Sequence, residues 1–213
     1  MASNILLDLD GTLTNPREGI TACIRYALRT LDWPVPSDTE LDQCIGPPLQ
    51  GSFLRILGDA ELADQALQLY RERFSVTGLY ENTVYSGIEQ ALVRLRQRGA
   101  RLTLVTSKPR VYAERIVGHF GLDEHLSVVY GSELDGTRTD KRELLAFVLQ
   151  QAGLNADDCL MVGDRRFDAE GARSNAIEPV GVLWGFGSRE ELQAAGVSRL
   201  LERPEQLGGL MDG

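Results

Sequence analysis

The chain has 213 residues, 43% of them hydrophobic and 25% charged, with a formal net charge of −9. That composition is globular rather than disordered, and the length serves one sizeable core or a core plus a small accessory unit. A surface this acidic repels duplex nucleic acid and anionic membranes, so neither is an expected partner, while a small anion in a focused pocket stays open.

In chain order, Ile5–Leu7 runs straight into Asp8, too short for a signal peptide, and no stretch approaches transmembrane length, so a cytoplasmic location is expected. Residues 4–9 read as a buried parallel strand followed by a loop at Gly11. From about 15 to 82 no strand-like run occurs. Helical patterns cover Ile20–Leu31, Leu49–Leu57 and Ala60–Phe74, separated by Pro34, Pro36, Gly46-Pro47-Pro48 and Gly58. Ile88, Ala91, Leu92 and Leu95 then share a helix face ahead of Gly99, and a strand at 101–106 is stopped by Ser107-Lys108-Pro109. The alternation continues: a helix from Tyr112 to Phe120, a strand at 127–130, a helix around Leu144–Leu149, a strand at 159–163, a helix after Asp168 and a strand from Pro179 to Trp184.

Alternating strands and helices predict an α/β fold, a doubly wound parallel sheet of Rossmann-like type, with the ligand site beyond the carboxyl ends of the strands. Residues 1–14 and 83–213 are expected to form this core, and 15–82 a small all-helical cap inserted after the first strand. There is no internal repeat.

Polar residues able to handle phosphate or metal sit at the strand ends. Asp8 and Asp10, two apart in an extended chain, point to one side. Facing carboxylates suit Mg²⁺, which takes oxygen ligands, and they suit a division between nucleophile and general acid. Gly11 permits a tight turn and Thr12 offers a hydroxyl; Thr106 and Ser107 could donate to a phosphoryl oxygen. Gly163-Asp164 ends another strand with Asp168 four residues on, and Lys141 opens the preceding helix, where an ammonium could neutralise phosphoryl charge. Each alone reads equally as a helix cap, a turn or a solvated side chain. Their ordered combination is the signal.

Asp8-Leu-Asp-Gly-Thr-Leu13, Val105-Thr106-Ser107-Lys108, Lys141 and Gly163-Asp164-Arg-Arg-Phe-Asp168 resemble, in order, the motifs of the haloacid dehalogenase superfamily, in its phosphatase branch with a small helical cap. Ile45-Gly-Pro-Pro-Leu49 and Gly181-Val-Leu-Trp-Gly185 are similar to phosphoglycolate phosphatase and 5′-nucleotidase members. The resemblance implies a phosphomonoesterase in which Asp8 forms an aspartyl-phosphate and Asp10 carries the proton. It further implies Mg²⁺ held by Asp8, the Asp10 backbone carbonyl and Asp164, with Thr106, Ser107 and Lys141 on the phosphoryl group and Asp168 in the outer shell. The implied partner is a small phosphate ester, phosphoglycolate-like or a nucleoside monophosphate, acted on by a monomer or homodimer.

Arg142 stands where many relatives carry proline, and Arg165 and Arg166 where small or polar residues are common. The two arginines read either as caps on the acidic cluster or as substrate contacts; Gly46-Pro47-Pro48 reads either as a helix breaker or as a specificity loop. Cys23, Cys44 and Cys159 lack paired spacing and are expected to be buried thiols, His119 and His125 ordinary residues, and Trp33 and Trp184 packing residues. Asp10 argues against a dehalogenase, and an Asp on the first strand with a large insert argues against a receiver-like signalling domain. A β-phosphoglucomutase-like transferase and a catalytically silent phospho-ligand module remain as alternatives.

Overall fold

The computed structural model describes residues 3–211. From β1 (Asn4–Leu7) the chain passes through β2 (Thr14–Asn15) into α1 (Arg17–Thr30), α2 (Asp38–Asp42), α3 (Leu49–Leu57) and α4 (Ala60–Arg73), and returns through β3 (Thr83–Val84). There follow α5 (Ile88–Gln97), β4 (Arg101–Pro109), α6 (Arg110–His119), β5 (Val128–Ser132) and α7 (Lys141–Ala152). The chain ends with β6 (Cys159–Gly163), α8 (Arg166–Ser174), β7 (Glu178–Val182), α9 (Arg189–Ala194) and β8 (Arg199–Leu201).

The main sheet runs β5-β4-β1-β6-β7-β8, and every pairing in it is parallel. Successive strand residues face opposite sides, and helices cover both, so the strands carry unbroken apolar runs. Ile5, Leu7, Leu102 and Leu104 pack with α5 and α6 on one side, while Leu6, Val105 and Met161 pack with α7 and α8 on the other. From β1 the order proceeds outward to β4 and β5 in one direction and to β6, β7 and β8 in the other. Such a reversal opens a crevice at the carboxyl ends of the central strands, and ligands bind there.

Helices α1–α4 sit between β2 and β3, a short antiparallel pair in which Thr14 faces Val84. Their buried side chains, among them Ile24, Leu41, Phe53 and Tyr70, together with Ile45 of the loop between α2 and α3, are continuous with the core beneath the sheet. Several elements depart from the periodicity. The strand expected to stop at Thr106 runs on to Pro109 across a register shift, because its edge bulges against β5. Conversely β7 ends at Val182, leaving Trp184 in the following loop, and β8, at three residues, is too short to show a period. The five-residue α2 did carry a signature: Ser37 and Glu40 form a capping box.

Candidate active site

Parallel pairing brings the polar residues together. Leu7 lies opposite Leu104 on one side and opposite Val162 on the other, so Asp8, Thr106 and Asp164 emerge at the same edge of the sheet. The Asp8 amide donates to the Val162 carbonyl at 2.9 Å, continuing the ladder one step past the strand. Lys141, the first residue of α7, is buried beneath them. Its Nζ donates to Asp8 Oδ1 at 2.8 Å and to the Val105 carbonyl at 2.9 Å, and pairs with Asp168 Oδ1 at 2.8 Å.

Asp164 is fully buried. Its Oδ2 accepts from the Phe186 amide at 2.7 Å, while its Oδ1 has no hydrogen-bond partner. Gly11, at φ +82°, turns the chain against this carboxylate, and a Cβ on Gly11 or Gly185 would overlap it. An orphaned buried carboxylate oxygen is costly unless something fills its coordination. Asp8, Asp164 and Asp168 each bring an oxygen within 4.8 Å of the others. Both Asp168 oxygens are engaged, one by Lys141 and the other by the Arg165 amide at 3.2 Å. The donor set still open, all oxygen and anionic, fits a hard divalent cation such as Mg²⁺.

The electrostatics agree with that reading. Burial, with the neighbouring Asp168 and Asp8 charges, holds the Asp164 carboxyl well above the usual range. Asp168 is likewise raised, to about 6, by burial against the opposing pull of Lys141. Burial alone would lower the Lys141 ammonium, but the Asp168 and Asp8 carboxylates outweigh it and raise it. The lysine therefore stays charged.

Asp10 has a partner that the sequence reading did not assign. Lys108 Nζ pairs with Asp10 Oδ2 at 2.7 Å and lies 4.8 Å from the centre of the Phe74 ring, at the end of α4. Asp10 Oδ1 is buried without a partner. Burial raises the Asp10 carboxyl and Lys108 opposes the shift. In the sequence Lys108 closes the motif Val105-Thr106-Ser107-Lys108 and sits in a turn but carries no site role, since the bulge that turns it inward comes from pairing with β5. Its own amide donates to Thr106 Oγ1 at 3.2 Å, fixing that hydroxyl beside the bulge.

These groups surround a nook of 20 Å³, space for about one water, lined by Asp8, Asp10, Thr106, Ser107, Lys108, Lys141 and Asp168, with Gly46, Arg165 and Phe167 closing it. Gly11, Thr12 and Asp164 are not part of that lining. Thr12 is fully buried, its hydroxyl unpartnered and its carbonyl accepting from Trp184 Nε1 at 3.0 Å, so Trp184 does more than pack. Trp33 is by contrast partly exposed, and all three cysteines are buried, free thiols. A cavity of 500 Å³ adjoins the nook through Asp10, Gly46, Ser107 and Lys108, and extends between Tyr70, Phe74 and Tyr112. No helix among the described residues is long and apolar enough to cross a membrane.

Three comparisons bear on this arrangement. The profile of a family described as haloacid dehalogenase-like hydrolase matches residues 5–182. A protein from Pseudomonas aeruginosa named 5′-nucleotidase is 51% identical over 192 residues, covering 90% of this chain and 87% of that one. A Mycobacterium tuberculosis protein named tyrosine-protein kinase PtkA is 39% identical over 183 residues, covering 86% of this chain and 62% of that one. Among solved structures, a predicted phosphatase from Clostridium acetobutylicum superposes with a TM-score of 0.93 at 38% identity, covering 98% of this chain and 97% of that one.

Proposed function

Given that the chain belongs to the haloacid dehalogenase-like hydrolase family and is one of its phosphatases, we propose that it is a Mg²⁺-dependent phosphomonoesterase working through an aspartyl-phosphate on Asp8. The observation that carries this is Lys141, buried and charged, bonded at once to Asp8 and Asp168 beside the unpartnered oxygen of Asp164. Asp8, the Asp10 backbone carbonyl and Asp164 would hold Mg²⁺, whose charge offsets that of the phosphoryl oxygens.

With Oδ1 held by Lys141, Asp8 attacks phosphorus through Oδ2, and the ester bond to the leaving oxygen breaks. Asp10 gives that oxygen a proton, then takes one from the water that hydrolyses the aspartyl-phosphate. Thr106 and the Ser107 backbone orient the transferring group, and Lys141 spreads its charge over phosphoryl oxygen and Asp8. Asp168 keeps Lys141 in place. Residues 15–82 act as the cap over the leaving group, with 1–14 and 83–213 as the catalytic core.

The cavity favours a nucleoside monophosphate over phosphoglycolate. At 500 Å³, with aromatic walls, it suits a ring-bearing leaving group, whereas glycolate would leave most of it empty. The similarity to a protein named 5′-nucleotidase points the same way. A phosphate-release screen over small phosphate esters, with Mg²⁺ and with chelator, tests the reading. Release from nucleoside monophosphates that stops on chelation and returns with Mg²⁺ is expected. Release that is indifferent to chelation, or none from any ester, contradicts it.

A further inference from the structure

Arg165 follows Asp164 directly and adopts an extended backbone at the start of α8, so its side chain reaches out of the sheet edge toward the helical insert. The guanidinium is mostly buried and is held at two ends. Nε pairs with Glu191 Oε1 of α9 at 2.9 Å, and Nη1 donates to the carbonyl of Ile45 in the insert. Glu191 Oε1 also accepts from the Arg166 amide at 2.9 Å, which fixes the acceptor to the same loop. Across the gap, Gly46 takes φ +100°, and a Cβ there would lie 3.0 Å from Arg165 Cγ, so the loop rests on the arginine stem. Below this contact is the nook, with space for about one water.

The nook beneath the loop has space for about one water, so lifting Gly46 and its neighbours would widen it for a phosphoryl group. A bond that resists lifting is the one from Arg165 to Ile45. We propose that Arg165 is a latch: its guanidinium ties the Ile45–Pro48 loop of the insert to the loop carrying Asp164, and it must release and re-form in each turnover. The role suits arginine, whose planar fork serves two acceptors at fixed angles; one lysine ammonium would not span both. A hydrogen bond from a charged donor is among the stronger ones available, and losing it should shift the opening equilibrium roughly tenfold to a hundredfold. The part concerning turnover rests on the phosphatase reading above. The tie itself does not.

The test uses amide hydrogen exchange on the full chain without ligand, comparing residues 44–50 with β1 and β6. Arg165→Lys and Arg165→Gln should raise exchange in 44–50 by about tenfold or more, with β1 and β6 unchanged. Glu191→Gln leaves the arginine in place but loosens its anchor, and should raise exchange in the same segment by less. It also serves if an Arg165 variant fails to fold. Unchanged exchange in 44–50 in these variants overturns the latch, and a loss of inorganic-phosphate inhibition without that exchange change makes Arg165 a substrate contact instead. If the unsubstituted chain releases no phosphate from any ester while the exchange difference is seen, the latch stands and the phosphatase reading fails.

Discussion

Two lysines sit among the aspartates, and each holds one of the pair Asp8 and Asp10. Lys141 binds Asp8 through Oδ1, and Lys108 binds Asp10 through Oδ2. The effect is to give two residues, two apart on one chain, separate environments and so separate work. The pair at Asp10 is buried on both sides, and removing one partner of a buried pair is strongly destabilising because the remaining charge is uncompensated. Lys108→Met should therefore lower unfolding free energy by about 3 kcal/mol in a denaturant titration. A change below about 0.5 kcal/mol would mean that the pair contributes little. The positions of Asp8, Asp10, Thr106 and Asp164 are legible because strand ends announce themselves through apolar runs and glycine, and those of Lys141 and Asp168 through the helical patterns beside them. Lys108 is not, because its direction is set by a bulge against β5 that local sequence does not encode. The sequence leaves Arg165 between two readings, since its partners, Ile45 and Glu191, come from distant parts of the chain.

The helices between β2 and β3 form a unit that enters and leaves through four residues, Thr14, Asn15, Thr83 and Val84. A connection this narrow is where a lid would pivot, near residues 14–16 and 80–84. Two further ties hold the insert to the sheet: Arg71 donates to the Leu134 carbonyl at 2.8 Å, and Lys108 rests against Phe74. Structures determined with and without bound phosphate should differ in the position of α1–α4 relative to the sheet, and one identical position in both would count against a lid. Long periodic helices such as α1 and α4 were readable from one apolar face alone. The β2–β3 pair and β8 were not, since two or three residues give no period and their existence depends on partners elsewhere in the chain.

For the molecule as a whole, a net charge of −9 coexists with a site built to take an anion. The resolution is local. The nook gathers Lys108 and Lys141 around its aspartates, so a phosphoryl group meets cations there even though the surface as a whole is acidic. On this mechanism the phosphoryl group passes through Asp8. That passage is tested most directly by trapping the intermediate, using Asp10→Asn with p-nitrophenyl phosphate, whose leaving group needs no proton. Without Asp10 as base, hydrolysis of the intermediate should slow by about 10²–10⁴-fold, and rapidly quenched protein should carry one phosphoryl group on the peptide containing Asp8. Quenched protein with no phosphoryl group on that peptide, while p-nitrophenol is still released, would contradict the account.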